Sequence, residues 1–211
     1  MKNLLKKFSF FNDINLILFE RKWRKKNGHN HTNVYKKFNI DKVKVGRGTY
    51  GDLCIYNFGN KEEFLEIGNF CSIGPEVKFL LSGEHDYNMI STYPFKKEIL
   101  NETESRSKGK IIVKDDVWIG FGTIILSGVT IGQGAIIGAG SIVAKNVPDY
   151  SIFVNNQVIK YRFSKRIIDK LLKIDFSKIT NYNLDILYQN ITEENIDHII
   201  KKVKEECYGK D

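Results

Sequence analysis

The amino-acid sequence predicts a mainly β fold, a left-handed parallel β-helix of hexapeptide repeats with one protruding loop and with N- and C-terminal α-helices. Three observations predict it. Val113, Ile119, Ile125, Ile131, Ile137 and Val143 stand six residues apart, and Gly122, Gly128, Gly134 and Gly140 run beside them at the same spacing. Between Phe79 and Val113 the rule lapses. Beyond Arg162 the apolar residues change to helical spacing.

A period of six matches neither the 3.6 of a helix nor the 2 of a strand. It matches short strands joined by corners. Each hexapeptide supplies one side of a prism, with its aliphatic residue pointing inward. The glycines, and Asp116 and Asn146 aligned with them, are expected at corners that a Cβ resists. Three sides close a turn of about 18 residues, and stacked turns bury one aliphatic column. Four residues past each aliphatic position come Val117, Thr123, Val129, Ala135, Ser141 and Val147, small or β-branched as a narrow interior requires. Leu65 to Gly74 repeats the form with Ile67, Ile73 and Phe79 in step, and Val45-Gly46 with Thr49 reads as a poorer turn. Cys71 falls in the small inward slot, the place of a buried structural thiol rather than a nucleophile.

The chain divides into a basic, helical segment over 1–40, the coil over 41–162 with its loop at 80–110, and helices over 163–211. The N-terminus is basic and then apolar, but Asn12, Asp13 and Asn15 interrupt it and no small-residue cleavage site follows, so it reads as retained. Arg21, Lys22, Trp23, Arg24, Lys25 and Lys26 form either a solvated helix end or a contact for anionic lipid or substrate. After the coil, Phe163, Ile167, Ile168, Leu171 and Leu172 follow helical spacing. So do Ile196, Ile199, Ile200 and Val203, after a capping-type Thr192-Glu193-Glu194. These helices are expected to cover the open end of the coil.

With 33 Lys+Arg against 25 Asp+Glu among 211 residues, the formal charge is +8, which suits an anionic partner without choosing one. Cys54, Cys71 and Cys207 are widely spaced, with no paired-cysteine motif, which argues against a disulfide framework and points to a cytoplasmic protein. His29-Asn30-His31 has metal-like spacing but no third ligand nearby, and no metal is expected.

The loop is the candidate site. His85 is the one histidine of four within the span of the coil, flanked by Glu84 and Asp86 and followed by Tyr87, Tyr93 and Phe95. That composition fits acid/base chemistry, with a carboxylate to orient the imidazole and aromatic walls to hold a ring-shaped substrate. It equally fits a surface histidine in a polar loop.

The loop ending Ile90-Ser91-Thr92-Tyr93-Pro94-Phe95, followed by Asp116-Val117-Trp118-Ile119-Gly120, resembles the xenobiotic-type hexapeptide acetyltransferases over roughly residues 43–163. This family includes antibiotic acetyltransferases and O-acetyltransferases of bacterial surface sugars. The resemblance implies a homotrimer with acetyl-CoA lying between neighbouring coils and the loop histidine reaching across. It implies His85 as the catalytic base, Trp118 beside the acceptor, and Phe121, Ala139, Ala144 and Lys145 along the pantetheine and phosphate arms. Where relatives have a Gly-Asn-Pro-Ala turn this chain reads Val154-Asn155-Asn156-Gln157, leaving Lys160 and Arg162 to meet the phosphates.

The expected reaction is direct acetyl transfer from acetyl-CoA to a sugar hydroxyl, in a capsule or O-antigen type of surface polysaccharide. His85 takes the proton, Glu84 or Asp86 orients it, and Tyr87, Tyr93 and Trp118 contact the acceptor. No nucleic acid is expected as a partner, and the basic N-terminus allows contact with the inner face of the membrane. Antibiotic acetylation, N-acetylation of an amino-sugar and a non-catalytic trimeric scaffold are the alternatives.

Overall fold

The computed structural model describes the backbone of residues 2–209 and the side chains of residues 14–209. The left-handed parallel β-helix is present, and its strands fall into three faces. The first face stacks His31–Val34, the start of Tyr50–Tyr56, Ser72–Ile73, Trp118–Ile119, Ile136–Ile137 and Ser151–Val154. The second stacks Val43–Val45, Leu65–Ile67, Ile111–Val113 and Thr130–Ile131. The end of Tyr50–Tyr56, Lys78–Leu80, Ile124–Ile125 and Ile142–Val143 make the third. Trp118 pairs with Ile136, 18 residues on, which is one regular turn. Ser72 pairs with Trp118, 46 residues on, because the loop is inserted between the third face and the second without disturbing the register.

Both inward series are buried, from Val113 and Val117 through to Val143 and Val147. The hydroxyls in the small slot have partners, as when Thr123 donates to the Gly120 carbonyl at 2.8 Å, so they fill the interior without an unmet polar cost. Corner positions have positive φ at Gly122, Gly128, Gly134, Gly140 and Asp116, and also at Glu76 and Phe70, two and three sides before Asp116. Asn146 is not left-handed. Its side-chain oxygen accepts the Thr130 amide at 2.8 Å instead.

Helix α1 (Lys2–Lys26) precedes the coil. Trp23, read as part of a basic cluster, is fully buried at the first turn, edge-on to Phe38 at 5.2 Å, with its indole N–H on Thr32 at 3.0 Å. Arg24 is also committed, to the carbonyls of Asn30 and Thr32. No helix among the described residues is long and apolar enough to cross a membrane.

The loop contains helix α2 (Phe95–Leu100), and helices α3 (Lys165–Leu171), α4 (Leu184–Leu187) and α5 (Ile196–Lys202) follow the coil. The last three do not cover its end. They form a second core with Phe70, Tyr150 and Phe163, against the corner between the second and first faces. That corner stacks Gly48, Phe70, Asp116, Gly134 and Tyr150, and Arg47 of an early turn donates to the Ile179 carbonyl at 3.3 Å. The helices therefore brace the side of the coil over several turns. At the start of α5 the Asn195 side chain reaches back to accept the Thr192 amide at 2.8 Å, three residues earlier as in a capping box, and the Ile196 amide donates to the Thr192 carbonyl at 3.1 Å.

Candidate active site

The loop is pinched at its neck. The Arg106 amide donates to the Glu84 carbonyl at 2.8 Å, and the Gly83 and Glu84 amides return to the Arg106 carbonyl. Below the neck the buried Glu63 carboxylate accepts the Ser82 hydroxyl and, at 2.6 Å, the Phe58 amide. Ser107 donates to the Leu81 carbonyl at 2.8 Å, and the Lys108 amide donates to Ser127 of the coil at 3.1 Å. A long excursion thus leaves and re-enters a rigid frame at fixed points.

His85 stands just past the neck, exposed, with Nδ1 2.6 Å from the carbonyl oxygen of Thr92. A carbonyl only accepts, so Nδ1 carries the proton and the neutral ring presents its lone pair at Nε2. Neither neighbouring carboxylate does this orienting. Asp86 pairs with Arg106, and Glu84 pairs with Lys108 at 3.1 Å. Both ion pairs stiffen the neck instead. The expectation of a carboxylate orienter is corrected by a backbone carbonyl, seven residues along the same loop.

Beside His85 lies a cavity of about 180 Å³. Phe58 and Pro94 give it an apolar wall, and Glu84, Lys97, Thr103, Glu104 and Ser105 its polar groups. Glu104 is fixed by the amides of Lys96 and Lys97 at the start of α2. Tyr87 and Tyr93, expected on the acceptor, are exposed outside this wall. Tyr93 packs edge-on to Phe95 at 4.8 Å. Phe58, Lys97, Thr103, Glu104 and Ser105 carried no sequence signal, because nothing in their spacing places them next to His85.

The second group of expected residues lies along the coil. Trp118 is exposed in mid-face between Ser72 and Ile136. Phe121 and Ala139 stack at the next corner, where a Cβ on Gly120 would come within 2.6 Å of the Ala139 nitrogen. Ala144 and Lys145 are exposed at the corner after that, above the loop base. Phe121 with Ala139 and Ala144 with Lys145 therefore flank the two edges of the third face, with exposed Ile142 between them, an extended surface for a slender pantetheine arm ending in phosphates. None of these residues lines the His85 cavity.

The divergent turn has a simple structure. Asn155 and Asn156 have φ of 48° and 62°, the two-residue hairpin between Ser151–Val154 and Gln157–Tyr161. Asn156 accepts the Ala144 amide at 3.2 Å, and the Asn155 amide donates to Ser141 at 3.2 Å, so the hairpin is tied onto the coil. Lys160 is exposed on its outer strand, paired with Ile152. Arg162 is not free for phosphate. It donates to the Gly134 carbonyl at 2.7 Å and pairs with Asp116 at 3.3 Å, between the rings of Tyr150 and Phe163. Burial pushes the Asp116 carboxyl up, and Arg162 opposes this.

Cys71 is fully buried, donates to the Lys114 carbonyl at 3.1 Å, and is pushed up to about 12 by burial. It is no nucleophile at neutral pH. His29 Nε2 lies 2.8 Å from the Val45 carbonyl, and no cluster of three metal-ligating side chains occurs among the described residues.

The bacterial transferase hexapeptide (six repeats) family profile matches residues 110–145. A probable macrolide acetyltransferase of Lysinibacillus sphaericus is 38% identical over 60% of this chain and 74% of its own length. The chain belongs to the hexapeptide-repeat acetyltransferases. A chloramphenicol acetyltransferase of Escherichia coli is 34% identical over 62% of this chain and 72% of its own. A solved hexapeptide-repeat acetyltransferase of Vibrio cholerae shares the fold, with a TM-score of 0.51 and 24% identity over 67% of this chain and 78% of that one. In this hexapeptide-repeat acetyltransferase the repeat matched by the profile carries Trp118, Phe121, Ala139, Ala144 and Lys145, while His85 lies outside it.

Proposed function

We propose that the protein transfers an acetyl group from acetyl-CoA to a hydroxyl of a sugar unit, with His85 Nε2 as general base. The observation that carries this reading is the 2.6 Å contact of Nδ1 with the Thr92 carbonyl, which leaves Nε2 as the only basic nitrogen and fixes its direction. Acetyl-CoA supplies the activated acyl group as a thioester. The chain's part is to hold the donor along Phe121, Ala139, Ala144 and Lys145, with Lys160 near its phosphates, to take the proton as the acceptor oxygen attacks the acetyl carbon, and to return it to the CoA thiolate that leaves as the carbon–sulfur bond breaks.

The His85 cavity is lined by none of the coil residues Trp118, Phe121, Ala139, Ala144 and Lys145, which supports a site completed between copies, in a homotrimer. Exposed Trp118 and Ile142 on the coil supply apolar surface for such contacts. Within one chain the His85 cavity offers Phe58 as an apolar wall and Glu84, Lys97, Thr103, Glu104 and Ser105 as polar groups, a lining that suits the ring and hydroxyls of a sugar unit.

The similarity to a macrolide and a chloramphenicol acetyltransferase favours a second reading, an antibiotic acceptor. CoA release measured against monosaccharides, oligosaccharides, nucleotide sugars, chloramphenicol and macrolides separates the two. Turnover of the glycans is expected, and turnover of drugs alone would replace the first reading with the second.

A further inference from the structure

We infer that the outer face of α1 is a docking surface for an anionic phospholipid bilayer. The inner face is settled by packing. Leu16, Phe19 and Trp23 lie against the coil, Phe19 and Trp23 both edge-on to Phe38, and the Trp23 indole and Arg24 guanidinium are hydrogen-bonded to the first turn. At 3.6 residues per turn the opposite stripe carries Ile14, Ile17, Leu18, Arg21, Lys22 and Lys25. Its three apolar side chains are exposed at 38%, 50% and 54%, and its three basic ones are exposed as well.

The stripe has two zones, aliphatic on its first turns and cationic on the next. No carboxylate falls on it between Ile14 and Lys25. Glu20 lies on the packed side, and Asp41 pairs with Lys26 at the flank. Single exposed aliphatics need no explanation, but three on neighbouring turns of a helix whose other face is satisfied do. A helix lying in a membrane interface uses this arrangement, with Leu and Ile at the acyl boundary and Arg and Lys on the phosphates.

Charge favours a bilayer over pairing with the same stripe of a second copy. Two such stripes packed together would set Arg21, Lys22 and Lys25 against their own kind with no counter-charge. An anionic leaflet complements the cationic zone and accepts the aliphatic one. Because α1 is anchored through Trp23, docking would hold the entry turn of the coil at the membrane. This goes beyond the acyl-transfer reading and does not depend on it.

The test is co-sedimentation of the full chain with vesicles of phosphatidylcholine alone and of phosphatidylcholine mixed with phosphatidylglycerol. Two variants accompany it: Arg21→Glu with Lys22→Glu and Lys25→Glu, and Ile17→Ser with Leu18→Ser. Both change exposed side chains, and unchanged melting temperature and circular dichroism check that they fold. Partition into the anionic vesicles is expected, weakened by salt and reduced about tenfold or more by the charge reversal. The serine variant should also bind more weakly, at unchanged oligomeric mass. Absence of wild-type partition into anionic vesicles overturns the proposal, as does equal binding by the charge-reversed chain. If the serine substitutions alter oligomeric mass and leave vesicle binding alone, a second copy covers the stripe and the bilayer proposal fails.

Discussion

A neutral imidazole acts as a base in one direction, and in His85 that direction is set by a group with no side-chain identity. The candidate was legible as the sole histidine in the one break of the repeat, and its part as base is the reading proposed above. Its orienter was not legible, since a backbone carbonyl at Thr92 leaves no mark on composition, and the adjacent Glu84 and Asp86 drew the attention that belonged to the turn. Replacing His85 by Ala should lower kcat by about 10²–10⁴-fold and leave acetyl-CoA affinity unchanged, as read by steady-state kinetics and calorimetry. Replacing Glu84 or Asp86 by its amide should leave the pH profile of turnover unchanged and cost at most about 1 kcal/mol of stability, since both ion pairs are partly exposed. The Cys71 thiol gives a second test. In the fold it is held up to about 12 from its ordinary 9.0, so above 9.0 the unfolded thiol ionises while the folded one keeps its proton. Stability is therefore full below 9.0 and falls as pH rises towards about 12, by about 1.4 kcal/mol per pH unit from this group. The urea midpoint of a Cys71→Ala variant should approach that of the wild type as pH is raised above 9.0, and a constant gap would contradict the burial account.

The hexapeptide states each side of the coil in two inward slots and one corner, which is why strand positions were legible from Val113 to Val147. Corners occupied by Phe70 and Glu76 were missed because neither residue advertises positive φ, whereas Asn146 looked like a corner and serves as a side-chain acceptor. Glycine corners should therefore differ in how they respond to a methyl group. At Gly122, φ is +67° and the added Cβ meets nothing within 4 Å, so alanine should cost only the left-handed penalty, about 1–2 kcal/mol. At Gly134, φ is +66° and the Cβ would lie 2.3 Å from the Tyr150 ring, inside the second core. Here overpacking adds to the penalty, for roughly 2–5 kcal/mol in all. Thermal melts of Gly122→Ala and Gly134→Ala should show the second falling clearly further. Trp23 was hidden among basic residues, where helical periodicity alone could not separate a buried indole from its charged neighbours. Truncating it to Ala should cost about 3–5 kcal/mol.

Across the whole molecule, two cores share one corner of the coil while the loop that carries His85 hangs from another, so under the proposed reaction stability and chemistry draw on different parts of the chain. The loop's neck is closed by its own backbone pairing, and the strands on either side, Lys78–Leu80 and Ile111–Val113, keep the pairings that an uninterrupted coil would have. Removing what lies beyond the neck should then leave a regular turn. A chain in which residues 85–105 are replaced by a short glycine-serine linker loses His85, α2 and the far wall of the cavity. It retains Glu63 with Ser82, the Ser107 contact and every inward residue. Loop-closure cost grows only logarithmically with length, so shortening this connection should change stability little. We expect a folded coil with near-native circular dichroism and melting temperature, acetyl-CoA still bound along the Phe121 to Lys145 corners, and no acetyl transfer. If the shortened chain unfolds, the loop is part of the core. If it folds and loses acetyl-CoA, the donor groove depends on the loop, and the division between a binding coil and a catalytic excursion does not hold.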